Sequence, residues 1–126
     1  DASGKYVKNP NTKPIRTGVV KESTSREIRR MTQVGRSGFI GIDKPGYYIG
    51  GKTGTSQVVK NGVYSEDETI ATYLGYGGGD IETPKYVIMV SIHGQGRMLG
   101  GSVDAMPIFT DISNWMLDYL KIQPKG

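Results

Sequence analysis

The chain has 126 residues, with 16 Lys and Arg against 12 Asp and Glu for a formal charge of +4, and it contains no cysteine. That length suits one compact domain and argues against a multidomain enzyme within the chain. The missing cysteines exclude disulfide scaffolds, thiol nucleophiles, zinc knuckles and iron–sulfur sites. A single histidine, His93, leaves little material for a Ser-His-Asp triad or a multi-His metal site. No clustered Lys/Arg block points to nucleic acid, and no apolar run reaches the roughly 18 to 20 residues a spanning helix needs. Glycine is the outlier: its 19 residues are about twice the usual share of roughly 7%.

Residues 1–15 are polar and carry turn signals such as Asn9-Pro10-Asn11, so they read as a hairpin tip or a disordered end. Thr24-Ser25-Arg26-Glu27 matches a capping box and predicts a helix over 24–34, with Gly35 as its stop. Ile28, Met31 and Val34 share one face of that helix, and Arg26, Arg29 and Arg30 read as a solvated face. Residues 35–51 mix six glycines and Pro45 with Phe39, Ile40, Ile42, Tyr47, Tyr48 and Ile49, a packed, irregular approach to a strand. Tyr47 and Tyr48 read as packing under that strand.

Three strands are predicted next, at Gly51–Val59, Thr69–Tyr76 and Tyr86–Ile92. Asn61-Gly62 and the acidic Ser65-Glu66-Asp67-Glu68 read as a solvated turn between the first two. The continuous apolar run Tyr86–Ile92 predicts a central strand covered on both faces, and His93–Arg97 a flexible surface loop. Asp104–Leu120 predicts a closing helix with Pro107 in its first turn and an apolar stripe of Ile108, Phe109, Ile112, Met116, Tyr119 and Leu120, with Trp115 beside it in the core. Short connections between successive strands imply antiparallel pairing, and the class is α+β with helices packed on the sheet.

Two motifs overlap on Lys52. Gly46-Tyr47-Tyr48-Ile49-Gly50-Gly51-Lys52-Thr53 matches the phosphate-loop template literally. Such a loop must start a helix right after its Lys-Thr pair, and the following Gly54-Thr55-Ser56-Gln57-Val58-Val59 is poor helix material. The second reading takes Lys52-Thr53-Gly54-Thr55 as K-T-G-T on a strand, the third motif of penicillin-binding proteins and serine β-lactamases.

The surrounding stretch Pro45–Gln57 resembles the region around this motif in class B penicillin-binding transpeptidases. Ile70–Tyr76, Pro84–Val90 and Gly100–Leu120 resemble the later strands and closing helix of that family, so the likeness covers about residues 16–124. It implies the C-terminal part of a transpeptidase domain over residues 16–126, with a partial β-lactamase-like fold. In such an enzyme a serine attacks a D-Ala-D-Ala amide and passes the acyl group to an amine of a neighbouring peptidoglycan stem. The resemblance implies catalytic roles for Lys52, as a positive charge in the site's hydroxyl network, and for Thr55, whose amide would donate to the oxyanion. It implies substrate binding by Thr53, Gly54 and Thr55, and it implies no metal and no cofactor.

The same likeness predicts what the chain lacks. Among its 126 residues no S-x-x-K and no S-x-N or Y-x-N occurs, so the acylated serine, its lysine base and the second motif are absent. The chain alone is expected to be catalytically inert. Its expected partners are the missing N-terminal half of the domain and, within the complete domain, stem peptides and β-lactams. The parent is expected to be membrane-anchored, with this domain on the outer face of the cytoplasmic membrane. Apolar surface meant for the missing half predicts a marginal fold or self-association. The competing readings are a noncatalytic interaction module on the same half-fold and, behind it, a phosphate-loop nucleotide-binding protein.

Overall fold

The computed structural model describes residues 3–5, 7, 12–39 and 43–125. Much of the polar end expected over residues 1–15, and Ile40 and Ile42 of the glycine-rich approach, lie outside the described residues. The elements run α1 (Glu22–Ser37), β1 (Tyr48–Lys60), β2 (Val63–Gly78), β3 (Tyr86–His93), a π-helical turn at Gly101–Ala105, and α2 (Met106–Tyr119). The strands form one antiparallel sheet in the order β1-β2-β3, so the expected α+β class and the helix, three strands, helix order both hold.

The β1-β2 hairpin is longer than the sequence suggests. Asn61 and Gly62, with φ of +52° and +81°, make the tight turn, a left-handed pair that matches the twist of the strands it joins. The acidic stretch expected in a turn therefore lies within β2. There Glu68 pairs with Lys60 at 2.6 Å, and its Oε2 accepts the Gly96 N–H at 3.1 Å. The side-chain contact with Lys60 and then the Gly96 amide hold the Glu68 carboxyl below its ordinary value. Of the loop expected at His93–Arg97, His93 ends β3 and residues 94–97 turn the chain, but not loosely. Gly94 N–H donates to the Thr69 carbonyl at 2.9 Å, Thr69 N–H donates to Arg97 O at 3.2 Å, and the Thr69 hydroxyl bridges the Leu99 backbone.

α2 packs on one face of the sheet. Phe109 and Leu117 are fully buried, with Tyr73, Ala71, Val90, Ile49 and Met106 around them. Gly75 makes the close approach possible, since a Cβ there would lie 2.4 Å from the Phe109 ring. Tyr73 and Phe109 then meet with centroids 4.8 Å apart, a separation favourable for aromatic pairs. Ser113, fully buried on α2, shares a hydrogen bond of 2.7 Å with the Tyr86 hydroxyl. Pro107 sits in the first turn as expected. Tyr47 packs against the core and donates its hydroxyl to Ile122 O at 3.0 Å, whereas Tyr48 stays 38% exposed.

Several sequence expectations are corrected. α1 begins at Glu22 with Lys21 as its cap, without any side-chain capping bond, and runs through Gly35 to Ser37. Thr24 therefore lies inside the first turn, where it cannot cap. Among the described residues β3 is an edge strand with alternating burial, not a central one covered on both faces. Val87 and Met89 point away from α2 and are 69% and 58% exposed. On α2 the buried face is Met106, Phe109, Thr110, Ser113 and Leu117. Ile108, Ile112, Tyr119 and Leu120 of the expected stripe are exposed, and Trp115, 57% exposed, stacks on Tyr119 instead of entering the core. A helix with apolar residues on both sides does not reveal from its own periodicity which side meets the sheet.

Candidate functional site

The residues of K-T-G-T all lie on β1, which pairs with β2 on one side and forms an edge of the sheet among the described residues. Lys52 stands opposite Leu74, Thr53 opposite Tyr73, Gly54 opposite Thr72 and Thr55 opposite Ala71. Partners across a sheet share a face and neighbours along a strand alternate. Thr53 and Thr55 thus share the face of Tyr73 and Ala71, and Lys52 stands on the other with Leu74. The strand continues unbroken to Lys60. No helix follows Lys52-Thr53, so the geometry a phosphate loop requires is absent here.

Lys52 is exposed, and its Nζ returns to the neighbouring residue, donating to Thr53 O at 2.9 Å and to Thr53 Oγ1 at 3.3 Å. Its ammonium has no carboxylate partner among the described residues. Thr55 Oγ1 accepts the Gly101 N–H at 3.1 Å, which ties the motif strand to the π-helical turn. Gly101 allows that contact. A Cβ on it would lie 2.6 Å from Gly54 O and 2.7 Å from Thr72 O. Backbone meets backbone there, and any side chain would force the turn off the strand.

Beside this strand lies a cleft of about 350 Å³ whose walls include Gly51, Lys52 and Thr53 from β1, Arg36 and Phe39 from the end of α1, and Ser102 from the π-helical turn. A larger hollow of about 660 Å³, between Gly79–Lys85 and the segment after α2, contains none of the motif residues. The charged and hydroxyl groups make the smaller cleft the candidate site. It has the Lys52 ammonium, the Thr53 and Ser102 hydroxyls and the amides of an edge strand, a set suited to holding an anionic chain end laid alongside β1, while Gly54 and Thr55 follow on the same strand without lining it. Among the described residues no group of His, Asp and Glu is arranged to hold a metal.

The floor of the cleft holds residues that the motif reading does not include. Arg36 is 2% exposed. Its guanidinium grips both oxygens of Asp43, Nε to Oδ2 and Nη2 to Oδ1, each at 2.7 Å. It also donates to the Tyr73 hydroxyl at 2.8 Å and to Thr110 Oγ1 at 2.9 Å. Burial opposes the charge on Arg36, but the Asp43 carboxylate and then the Tyr73 hydroxyl outweigh it and leave the group above its ordinary value. Burial likewise pushes the Tyr73 phenol up, with Arg36 opposing. In sequence Arg36 is one more arginine of a polar helix, and no local signal sets it apart.

Comparison with known proteins agrees with this fold. The profile of the penicillin binding protein transpeptidase domain matches residues 3–114. Stage V sporulation protein D of Bacillus subtilis is 33% identical over 114 residues, which is 85% of this chain and 17% of that protein. The protein named probable peptidoglycan D,D-transpeptidase PenA of Neisseria meningitidis serogroup A is 34% identical over 116 residues, 84% of this chain and 19% of that one. Two crystal structures of penicillin binding protein 3 of Mycobacterium tuberculosis share the fold. The ampicillin complex has a TM-score of 0.66 at 24% identity, over 85% of this chain and 26% of that one. The apo form has 0.65 at 27%, over 86% and 26%. The chain thus spans under a fifth of each of these two curated relatives, relatives that are class B penicillin-binding proteins. With its three-stranded antiparallel sheet, two helices and K-T-G-T edge strand, the chain belongs to the penicillin-binding protein transpeptidase domain family.

Proposed function

We propose that the chain supplies the K-T-G-T strand of a peptidoglycan D,D-transpeptidase site, a site that cross-links stem peptides and is acylated by β-lactams. The observation that carries this reading is the placement of Lys52–Thr55 on an edge strand beside the cleft. A peptide lying along β1 can pair with its outward backbone groups. Lys52 draws the terminal carboxylate, the Thr53 and Thr55 hydroxyls bind it, and Gly54 lets the substrate backbone approach. The Thr55 amide is one of the donors that stabilise the oxyanion as the acyl carbon becomes tetrahedral. One of the two related crystal structures is an ampicillin complex, which supports a β-lactam as a ligand of this class of site.

The chain alone is inert, because neither S-x-x-K nor S-x-N occurs in it. The serine, its lysine base and the second motif come from a further half of the domain, which residues 16–126 complete. Exposed apolar residues on three elements support a covering partner: Ile28, Met31 and Val34 on α1, each above half exposed, and Leu74 of β2 with Val87 and Met89 of β3 on the outer face of the sheet. No described helix is long and apolar enough to cross a membrane. The resemblance to penicillin-binding transpeptidases supports placing the domain outside the cytoplasmic membrane, on an anchored parent.

The test is intact mass spectrometry after incubation with labelled penicillin. The chain alone is expected to remain unmodified. The same chain joined to an upstream half carrying S-x-x-K and S-x-N is expected to gain one acyl group, and Lys52→Ala to slow that gain strongly. A stable adduct on the chain alone overturns the assignment of inertness. No adduct on the joined protein overturns the transpeptidase reading in favour of a noncatalytic interaction module.

A further inference from the structure

We infer that Arg36, locked by Asp43, is a positioning residue for the Gly51–Thr53 segment of β1, an inference that rests on the reading of that strand as the substrate-binding strand. The strut can be followed atom by atom. Asp43 holds the guanidinium at two points, and the guanidinium holds the Tyr73 hydroxyl at 2.8 Å. The Tyr73 ring lies against Gly51, since a Cβ there would stand 2.5 Å from its hydroxyl oxygen. Tyr73 is also the cross-strand partner of Thr53. The guanidinium carbon lies 4.9 Å from the Phe109 ring centroid and 5.3 Å from that of Tyr73, so the charge rests against both rings of the Tyr73–Phe109 pair. The bond from Nη2 to Thr110 Oγ1 fixes the same fork to α2.

The arrangement suits positioning better than simple bulk. A bidentate Arg–carboxylate pair fixes direction as well as distance, and an apolar residue of the same size in this place fills volume without fixing the Tyr73 hydroxyl. Among the described residues β1 is an edge strand, paired on one side only, so the sheet itself restrains its backbone less than that of an inner strand. The ring beneath Gly51 supplies the restraint that a second neighbouring strand supplies elsewhere. Arg36 touches no reacting group in this scheme and acts through Tyr73.

Residue-resolved amide hydrogen exchange on the chain tests this, in Arg36→Lys, which keeps the charge and loses the fork, and in Tyr73→Phe, which keeps the ring and loses the hydroxyl. The expected result is faster exchange at those amides of Gly51 to Thr55 that pair with β2, by at least about ten-fold beyond any change at Ile88 and Val90 of β3. A uniform change across β1 and β3, or no change in either, overturns the inference and leaves Arg36 a packing residue. Arg36→Met is a harsher version, and if it fails to fold, Tyr73→Phe carries the test alone. The measurement needs no acylation. A failed penicillin test therefore leaves the positioning result standing, and uniform exchange leaves the transpeptidase reading standing.

Discussion

The two helices lie against the same small sheet by opposite means. α2 turns apolar side chains inward, with Phe109 and Leu117 at 0% exposure. α1 turns its apolar stripe outward and meets the sheet with Arg29, Thr32 and Arg36. Arg29 Nε donates to Ile81 O at 2.8 Å, and the Tyr76 hydroxyl donates to Arg29 O at 2.6 Å while sharing a 3.0 Å hydrogen bond with Thr32 Oγ1. Arg26 and Arg30 are exposed as expected, but Arg29, with its side chain 20% exposed, is not on a solvated face. One helix is held by area removed from water and the other by directional polar contacts, which bind less strongly but fix geometry.

The sharpest way to break this contrast is on the α2 side. Phe109→Ala should cost about 3 to 5 kcal/mol, because it opens a cavity over Gly75 and removes the ring beside Tyr73. Urea denaturation reads this, and a loss below about 1 kcal/mol would mean that α2 is not anchored by packing. On the α1 side, Arg36→Met should cost about 2 to 3 kcal/mol, below the usual range for a buried pair because Asp43 keeps 24% of its side-chain surface. The double variant Arg36→Met/Asp43→Leu should recover most of that loss. Equal losses in the single and double variants would show that volume, not the unpaired carboxylate, sets the cost.

Alkaline pH probes one phenol on each side. Burial raises Tyr86, with its bond to Ser113 opposing, as burial raises Tyr73 against Arg36. A phenol whose folded value is raised adds stability in full below its unfolded value near about 10, and that stability is lost as pH rises through the folded value. Stability should therefore begin to fall above about pH 10, by about 1.4 kcal/mol per phenol for each unit traversed. Tyr86→Phe should flatten this limb, and a limb unchanged in Tyr86→Phe would assign it elsewhere. Smaller still, Lys121 sits just past α2 with φ of +52° while the Ile122 N–H closes back on Leu117 O at 3.0 Å. Glycine is the usual residue there, and Lys121→Gly should stabilise by about 0.5 to 1 kcal/mol in thermal melts. Val34→Ser, on the outward stripe of α1, should change stability by less than about 0.5 kcal/mol. It should also reduce self-association in sedimentation, and a chain that is monomeric with or without it would count against the expected association.

The reading of the sequence succeeded where local chemistry decides the outcome. Asn61-Gly62 forms its turn because a left-handed pair suits those residues, and Pro107 starts α2 where a missing amide is harmless. It failed where a partner surface decides. β3 reads as central from its apolar run, yet Val87 and Met89 have nothing over them among the described residues. Trp115 reads as core and stacks outside. The capping box at Thr24 lost to a start at Glu22, with the helix closing its first backbone bond from Ser25 N–H to Lys21 O at 3.0 Å.

Sequence alone determined the α+β class, the order of elements and the four residues of K-T-G-T, because strand and helix periods, turn residues and a contiguous motif are all written within short windows of chain. Tertiary structure alone decided which face of each helix meets the sheet and the buried Arg36–Asp43–Tyr73 strut beneath the motif strand. Those depend on groups 7 and 37 residues apart in sequence meeting at hydrogen-bond distance, and no local pattern encodes a contact whose partner lies on another element.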